Sequence, residues 1–213
     1  MKVLLIGSGG REHSLVWKLH QSDLVSELTC LPGNAGISEI ANIVPIKAHE
    51  IENIIEHVSL KQYDFVIIGP EQPLAMGLVD KLKDIGVKVF GPTQSAAQLE
   101  SSKEFTKKLC SKYNIPTAKY GVFDNLKGAK SYIKKMRPPY VIKADGLAAG
   151  KGVVLPETLD EALNELEELF SGKFGNASSK VLIEEFMEGQ EASFFAISDG
   201  VNILPLIAAQ DHK

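Results

Sequence analysis

The sequence predicts an α/β chain in which a parallel-sheet domain is followed by an α+β region with mostly antiparallel strands. Over the first hundred residues, short β-rich runs alternate with amphipathic segments, the order expected of right-handed βαβ units. After Gly91-Pro92-Thr93 the pattern changes, and two helices interrupt a series of strands. The dipeptide Asp199-Gly200 is typical of a type I′ turn and predicts a hairpin in this second part.

The first domain is predicted to be Rossmann-like and to cover residues 1–101. Its candidate strands are residues 2–6, 27–31, 65–68 and 87–90. Between them, helical spacing of apolar residues predicts helices at residues 11–21, 49–59 and 76–85. Open α/β sheets of this kind bind ligands at the carboxyl ends of their strands.

The second region is predicted to cover residues 102–213. It begins with a helix at residues 103–113, which stops before Ile115-Pro116 because proline cannot continue a helix. Thr158 and Glu161 have the spacing of a capping box and predict the start of a later helix. Candidate strands lie at residues 120–123, 140–143, 153–155, 180–185, 192–197 and 201–207.

Composition narrows the class of protein. Apolar residues make up 44% and charged residues 23% of the 213 residues, a balance typical of globular proteins. A net charge of -4 disfavours binding to nucleic acid or to an acidic membrane. Cys30 and Cys110 have no metal-site spacing and predict reduced, buried thiols. No signal peptide or apolar run of membrane-spanning length occurs, so we expect a cytoplasmic location.

A glycine-rich turn follows the first strand, with the sequence GSGGREH at residues 7–13. At this position the backbone N–H groups of Gly9 and Gly10 and the helix dipole can hold an anion, with Arg11 as a phosphate partner. The dinucleotide fingerprint has glycine where this chain has Glu12, whose side chain should obstruct close packing of helix and strand, so NAD binding is disfavoured. The alternative is a purely structural turn with Arg11 in solvent.

A second candidate lies after the strand at residues 65–68, where the sequence reads GPEQPL. Glu71 stands between two prolines on a predicted stiff turn, and its carboxylate can accept hydrogen bonds from a sugar diol. The sequence PGNAG at residues 32–36 follows the second strand in the same way. The alternative is a turn shaped by the prolines, with an exposed glutamate.

The most informative stretch is VIKADGLAAGKGVV at residues 141–154. Small residues allow the backbone amides to close over phosphate oxygens, and lysines add positive charge at both ends. A Walker A loop has a different glycine spacing and opens a helix, whereas this loop joins two strands. We therefore predict a flap over a triphosphate, rather than a structural glycine loop. The residues concerned are Lys143, Gly146, Gly150, Lys151 and Gly152.

A fourth motif, VLIEEFMEGQEAS, covers residues 181–193. Alternation along a strand sends Glu184 and Glu185 to opposite faces of the sheet, so one of them can meet a ligand. With the backbone of Phe186 it could form the wall of an adenine pocket, and Glu191 could accept hydrogen bonds from ribose hydroxyls. The alternative is an ordinary hairpin with charged edge residues.

Taken in order, these motifs resemble the ATP-grasp superfamily and, more closely, the glycinamide ribonucleotide synthetase family. The resemblance also covers GPTQSAAQLESSKEFTK, IPTA and AAQDHK, and so extends over essentially the whole chain. It implies a Rossmann-like domain followed by an incomplete ATP-grasp region. The implied activity is the ATP-dependent joining of glycine to 5-phosphoribosylamine through a glycyl phosphate, with no partner of the nucleic-acid or membrane class.

The resemblance also assigns residues. It places Lys103 and Lys143 on the ATP phosphates, residues 146–152 in the flap, and Glu184, Glu185, Phe186 and Glu191 around adenosine. The residues implied for the ribosylamine phosphate and sugar are Gly9, Gly10, Arg11 and Glu71. Asp211, His212 and Lys213 are implied to begin a substrate loop.

The family places the ligands of its Mg²⁺ (or Mn²⁺) beyond the position of Lys213. The resemblance therefore implies an inactive fragment with no metal ligands of its own. The alternatives are an ATP-grasp ligase for a different carboxylate and a non-catalytic nucleotide-binding module.

Overall fold

A computed structural model describes residues 1–146, 152–173 and 180–210. Its first part is a five-stranded parallel sheet with the order β3-β2-β1-β4-β5. From β1 the chain adds β2 and β3 on one side of the sheet, and then β4 and β5 on the other side. The carboxyl ends of β1 and β4 therefore flank the crevice where such sheets bind ligands. The strands are β1 (Lys2–Gly7), β2 (Glu27–Pro32), β3 (Asn42–Ile43), β4 (Phe65–Ile68) and β5 (Val89–Phe90).

Helices cover both faces of this sheet because β1 is apolar on both sides. Leu4 and Ile6 pack into one buried cluster, whereas Val3 and Leu5 pack into another. This burial is typical of a doubly wound fold. The helices of this part are α1 (Gly10–His20), α2 (Ile51–Lys61), α3 (Glu71–Ala75), α4 (Leu78–Asp84) and α5 (Gln94–Ser101).

The predicted elements of this part are confirmed, with end shifts of a few residues, but β3, α3 and α5 were not predicted. β3 has only two residues, too few for an alternating pattern. Glu71 begins the short helix α3 instead of occupying a turn, because Pro70 is extended at the N-cap and a proline inside the first turn is tolerated. The prediction of a stiff turn at Glu71 was therefore wrong.

The second part contains a four-stranded antiparallel sheet with the order β6-β9-β7-β8. Helices α7 and α8 cover one face, where Ile133 and Leu166 join Ile142 and Ile183 in a buried cluster. Alternation sends Lys143 and Glu184 to the opposite face. The elements are α6 (Lys103–Tyr113), β6 (Tyr120–Phe123), α7 (Leu126–Ile133), β7 (Val141–Ala144), β8 (Val153–Val154), α8 (Leu159–Phe170) and β9 (Val181–Glu184).

The predicted capping box of α8 is confirmed. The Glu161 backbone N–H donates to Thr158 Oγ1 at 3.2 Å, and the Thr158 N–H donates to Glu161 Oε2 at 3.2 Å. We expect Thr158→Ala to lower the free energy of unfolding by about 1 kcal/mol because an N-terminal N–H loses its acceptor. Thr158→Ser keeps that acceptor and is the control. Urea unfolding of both variants checks this, and an equal loss in both would contradict it.

The last two strands, β10 (Ala196–Ser198) and β11 (Ile203–Pro205), form the predicted hairpin but not the predicted turn. A type I′ turn requires positive φ at two successive residues, whereas Gly200 has φ 94° and Asp199 lies outside the positive-φ region. The strands are joined by residues 199–202. The Asp199 carboxylate accepts hydrogen bonds from the N–H groups of Val201 (2.9 Å) and Asn202 (2.6 Å), which stabilises this longer loop.

Two expectations from composition can be compared with the structure. Both cysteines are free thiols, but only Cys30 is buried, because Cys110 is partly exposed on α6. Burial raises the pKa of the Cys30 thiol to about 12, which keeps it protonated. None of the helices in the described ranges combines the length and the apolar character that crossing a bilayer requires.

Candidate active site

The predicted residues of the first domain meet at the carboxyl ends of β1 and β4. Arg11, in the first turn of α1, reaches Glu71 at the start of α3, and Nη1 lies 3.0 Å from Glu71 Oε1. Its Nη2 donates to the carbonyl of Gly69 at 2.8 Å. The guanidinium thus joins the turn after β1 to the turn after β4, on the side of the sheet predicted to bind a ligand.

Glu12 holds the glycine-rich turn in place and was not predicted as a site residue. It is buried, accepts a hydrogen bond from the Gly9 N–H at 2.8 Å and pairs with Arg11 Nε at 3.0 Å. The expected obstruction between helix and strand does not occur, because Gly7 and Gly69 have no Cβ and leave room for this side chain. A glutamate three residues after an N-cap position is the sequence pattern of a capping box, which could have revealed it.

The contacts between Arg11, Glu12 and Glu71 shift the pKa values of Arg11 and Glu71. Burial alone raises the pKa of the Glu71 carboxyl, but its own backbone N–H and Arg11 outweigh burial and the pKa is lowered. The hydrogen bond to Glu12 raises the pKa of Arg11 despite desolvation. Both groups are therefore charged at neutral pH.

The two predicted glycines of this turn have different surroundings. Both are exposed, but the Gly9 N–H is directed at Glu12, whereas Gly10 lies at the first position of α1 with open space around its Cα. The side chain of Asn34 donates to the Ser8 carbonyl at 2.9 Å and brings the loop after β2 to the same place. The loops after β1 and β2 therefore meet at this turn.

The space around Glu12 makes Gly69 sensitive to substitution. A Cβ on Gly69 would lie 2.5 Å from Glu12 Cγ and Oε1, although Gly69 itself has an ordinary backbone conformation. We expect Gly69→Ala to lower the free energy of unfolding by about 1–3 kcal/mol through this overlap. Gly10→Ala, which meets no neighbour, is the control, and denaturant unfolding is the measurement. The loss should shrink when Glu12→Ala is also present, and an unchanged loss would contradict the explanation.

The second part contains a cleft of about 360 Å³ between α6 and the sheet face opposite α7 and α8. Lys143 projects into it from β7 and Glu184 from β9, while α6 contributes Lys103 and Lys107. The cleft is therefore lined by an excess of cationic side chains. The remaining lining residues are Leu99, Glu100, Thr106, Thr117, Ala118 and Met187.

Glu184 lies at the centre of the charged group. Its side chain is only 7% exposed, with Oε1 3.0 Å from Lys107 Nζ and Oε2 2.7 Å from Lys143 Nζ. Each carboxylate oxygen thus pairs with a different lysine. The predicted contact of this carboxylate with adenosine stays a prediction, and in this structure the carboxylate positions two ammonium groups.

Lys103 and the segment after β7 are held together by Asp145. The Asp145 carboxylate accepts hydrogen bonds from the Glu104 N–H at 2.7 Å and from the Ser102 hydroxyl at 3.2 Å. Lys103 Nζ then lies 3.3 Å from the Gly146 carbonyl. Desolvation lowers the pKa of the Lys103 ammonium, and Lys143 contributes in the same direction, so an anion in the cleft would offset an existing electrostatic cost.

The predicted flap is described only at its two ends. Gly146 follows β7, and Gly152 is buried, where its carbonyl accepts a hydrogen bond from the Ala144 N–H at 2.8 Å. Gly150 and Lys151 lie outside the described residues, as do Asp211, His212 and Lys213. Of the two described ends, Gly146 contacts Lys103 through its carbonyl.

The remaining predicted nucleotide residues follow β9. Glu185 is half-buried and accepts a hydrogen bond from the Lys119 N–H at 2.8 Å, so it has different partners from Glu184, as the alternation predicted. Phe186 and Glu191 are exposed. Glu185 and Phe186 line a separate cleft of about 400 Å³ together with Lys119, whereas Glu184 and Lys143 line the lysine-lined cleft.

A smaller apolar cleft of about 230 Å³ lies between the two parts of the site. It begins at Glu71 and is lined by Leu74, Pro92 and Ala96. Leu99 and Glu100, near the end of α5, line both this cleft and the lysine-lined one. Glu71 and the lysine cluster thus line two clefts that share Leu99 and Glu100.

In the described ranges, no group of three or more His, Cys, Asp or Glu side chains is arranged to hold a metal ion. These residues therefore do not fit a protein-bound Mg²⁺ site, which normally needs carboxylate ligands.

Comparison with known proteins identifies the family of this chain. Residues 1–100 match the family model "Phosphoribosylglycinamide synthetase, N domain", and residues 101–213 match "Phosphoribosylglycinamide synthetase, ATP-grasp (A) domain". Phosphoribosylamine–glycine ligases from Brucella melitensis and Neisseria meningitidis are 53% and 50% identical to the whole chain. The chain spans about half the length of these relatives, 50% and 51% respectively.

Solved structures agree with these sequence matches. The crystal structure of phosphoribosylamine–glycine ligase from Thermotoga maritima has a TM-score of 0.83 and 32% identity, over 98% of this chain and 49% of that one. N5-carboxyaminoimidazole ribonucleotide synthetase from the same organism has a TM-score of 0.71 and 20% identity, over 98% of this chain and 53% of that one, which shows the fold alone. The fold and the lysine-lined cleft define an ATP-grasp protein. Within that class, the chain belongs to the phosphoribosylglycinamide synthetase family.

Proposed function

We propose that this chain supplies the sugar-phosphate domain and the first half of the nucleotide cleft of a ligase that joins glycine to 5-phosphoribosylamine. The reaction uses ATP and yields glycinamide ribonucleotide, ADP and phosphate, a step of purine biosynthesis. The names of the relatives support the reaction. The observation that carries the nucleotide site is one cleft lined by Lys103, Lys107 and Lys143, with Lys107 and Lys143 paired to the buried Glu184.

The ATP phosphates bind in the lysine-lined cleft. Lys103 and Lys143 donate hydrogen bonds to phosphate oxygens. A lysine ammonium suits this role because it is a compact charge on a flexible side chain. The loop between Gly146 and Gly152, including Gly150 and Lys151, closes over the triphosphate. The adenosine lies along the outer side of β9 with Glu185, Phe186 and Glu191. Glu184 serves as the counter-ion of the lysines, and the Mg²⁺ ligands belong to the remainder of a longer polypeptide.

The sugar phosphate binds in the first domain. Its phosphate occupies the N-terminus of α1 at Gly10 and Arg11, beside Gly9, because a helix N-terminus favours anions. Glu71 accepts hydrogen bonds from the sugar hydroxyls. The connecting cleft past Leu99 and Glu100 brings the amine to the reacting phosphoryl group, and Asp211, His212 and Lys213 begin a substrate loop.

The chemistry requires positioning and charge neutralisation more than a protein nucleophile. A glycine carboxylate oxygen attacks the γ-phosphorus of ATP, and the bond to the β-γ bridging oxygen breaks to release ADP. The amine nitrogen of 5-phosphoribosylamine then attacks the carbonyl carbon of the glycyl phosphate. The bond between the carbonyl carbon and the phosphate oxygen breaks, phosphate leaves with the electron pair, and the nitrogen loses a proton. Lys103 and Lys143 offset the negative charge on the transferring group.

The test is an assay of glycine ligation with glycine labelled by ¹⁸O in its carboxylate. The full-length polypeptide should form glycinamide ribonucleotide and transfer one ¹⁸O to the released phosphate, since the carboxylate oxygen forms the bond to phosphorus. The isolated 213 residues should give no turnover, because they lack part of the cleft and the metal ligands. Product without ¹⁸O in phosphate, or turnover by the isolated chain, would contradict the proposal.

A further inference from the structure

Lys107 is a buried lysine that was not predicted as a site residue, although it is the last residue of the stretch GPTQSAAQLESSKEFTK. It lies one turn after Lys103 on α6 and is 9% exposed. Its ammonium donates to Thr117 Oγ1 at 2.6 Å and to the Ala118 carbonyl at 3.3 Å, and it pairs with Glu184 Oε1 at 3.0 Å. Three acceptors match the three hydrogens of an ammonium group. Lys107 is therefore fixed on three sides.

Lys143 has a different position on the same carboxylate. Its Nζ lies 2.7 Å from Glu184 Oε2, and its side chain is 25% exposed, compared with 11% for Lys107. Lys143 thus reaches the open part of the cleft, whereas Lys107 is enclosed beneath it. Of these two lysines, Lys143 is the one that can turn from Glu184 toward a bound anion.

A buried carboxylate that loses its cation is strongly destabilised. If Lys143 were the sole counter-ion of Glu184, any phosphate that recruited Lys143 would leave the carboxylate uncompensated. Phosphate and Glu184 would then compete for one ammonium group. Lys107 removes this competition, because it continues to neutralise Glu184 after Lys143 has moved.

We propose that Lys107 is a positioning residue for nucleotide binding: it is the permanent counter-ion of Glu184 and so frees Lys143 to bind the triphosphate. This inference rests on the proposed function, since it requires a nucleotide in the lysine-lined cleft. It assigns Lys107 no contact with the ligand itself. Its effect is transmitted through Glu184 alone.

The test is a double-mutant cycle in the full-length protein, with ATP affinity measured by titration calorimetry. Lys107→Met should raise the Kd for ATP about tenfold, because Lys143 is then retained by Glu184. Lys108→Met, on the same helix but with a side chain 69% exposed and paired with Glu104, is the matched control and should change the Kd by less than about twofold. In a Glu184→Gln background there is no carboxylate to compensate, so adding Lys107→Met should change the Kd by less than about twofold.

Steady-state kinetics separates positioning from general damage to the fold. Lys107→Met should raise the KM for ATP and leave the KM for glycine unchanged, and thermal unfolding confirms that the variant is folded. Should Lys107→Met not fold, Lys107→Gln, which keeps an N–H donor for the Ala118 carbonyl, is tested by the same criteria.

These experiments distinguish a failure of the proposed function from a failure of the role assigned to Lys107. Failure of the unmodified protein to bind ATP would refute the proposed function. Normal ATP affinity of a folded Lys107→Met variant would refute the positioning role alone. An equal loss with glutamate and with glutamine at position 184 would show that Lys107 acts on the ligand directly, which also overturns the inference.

Discussion

Lys143→Met in the full-length protein should lower kcat/KM for ATP about a hundredfold. The ammonium projects from β7 into the cleft, where its partly exposed side chain can reach the charge that develops on the transferring phosphoryl group. Loss of one such electrostatic contact in a site shielded from water typically lowers the rate by a factor of about 10² to 10³. The measurement is the steady-state rate of ADP release at varied ATP.

The control is Lys127→Met, which removes an exposed lysine from α7 on the other side of the same sheet. It should leave kcat/KM unchanged, because an exposed charge at that distance is screened by salt. A loss of less than about threefold in the Lys143 variant would contradict the assignment of Lys143 to the phosphates.

Arg11→Met should raise the KM for 5-phosphoribosylamine about tenfold or more and leave the KM for ATP nearly unchanged. The guanidinium joins the turns after β1 and β4 and stands beside the proposed phosphate position at Gly10. Removing it takes away a charged partner of the phosphate and also frees Glu71 to repel that anion. Initial rates at varied 5-phosphoribosylamine provide the measurement.

Lys18→Met, an exposed substitution in the last turn of the same helix, is the control for Arg11. The pH dependence offers a second check. The pKa of the Glu71 carboxyl is lowered, so its pair with Arg11 is intact at neutral pH and is lost only as the pH falls below the ordinary glutamate range. An Arg11 variant that raises the KM for ATP as strongly as that for 5-phosphoribosylamine would contradict separate sites.

The sequence predicted the sheet of the first domain because its buried strands are short, continuous apolar runs such as VLLI in β1. It also predicted α8 from its capping box and the β10–β11 hairpin from Asp199-Gly200. It did not predict β3 or α3, because two residues carry no period and because the prolines around Glu71 resemble a turn. The type I′ turn was wrong, since the side chain of Asp199 stabilises a longer loop.

The candidate site was predictable where glycine, charge and strand ends coincide, as at Arg11, Glu71 and Lys143. Residues that act through tertiary contacts were missed. In the sequence, Lys107 cannot be told from the other polar residues of an amphipathic helix. Its burial depends on Glu184, which lies 77 positions later in the chain. Asp145 and Glu12 likewise have roles set by their neighbours in space. The spacing of apolar and polar residues along the sequence carries no information about such contacts.

The most direct measurement of the central claim is a crystal structure of the full-length protein with ADP bound. The account predicts phosphate oxygens within about 3.2 Å of the Nζ atoms of Lys103 and Lys143, with Lys107 still paired with Glu184. A structure in which the phosphates lie elsewhere, with Lys143 still on Glu184 and Lys103 still on the Gly146 carbonyl, would contradict it.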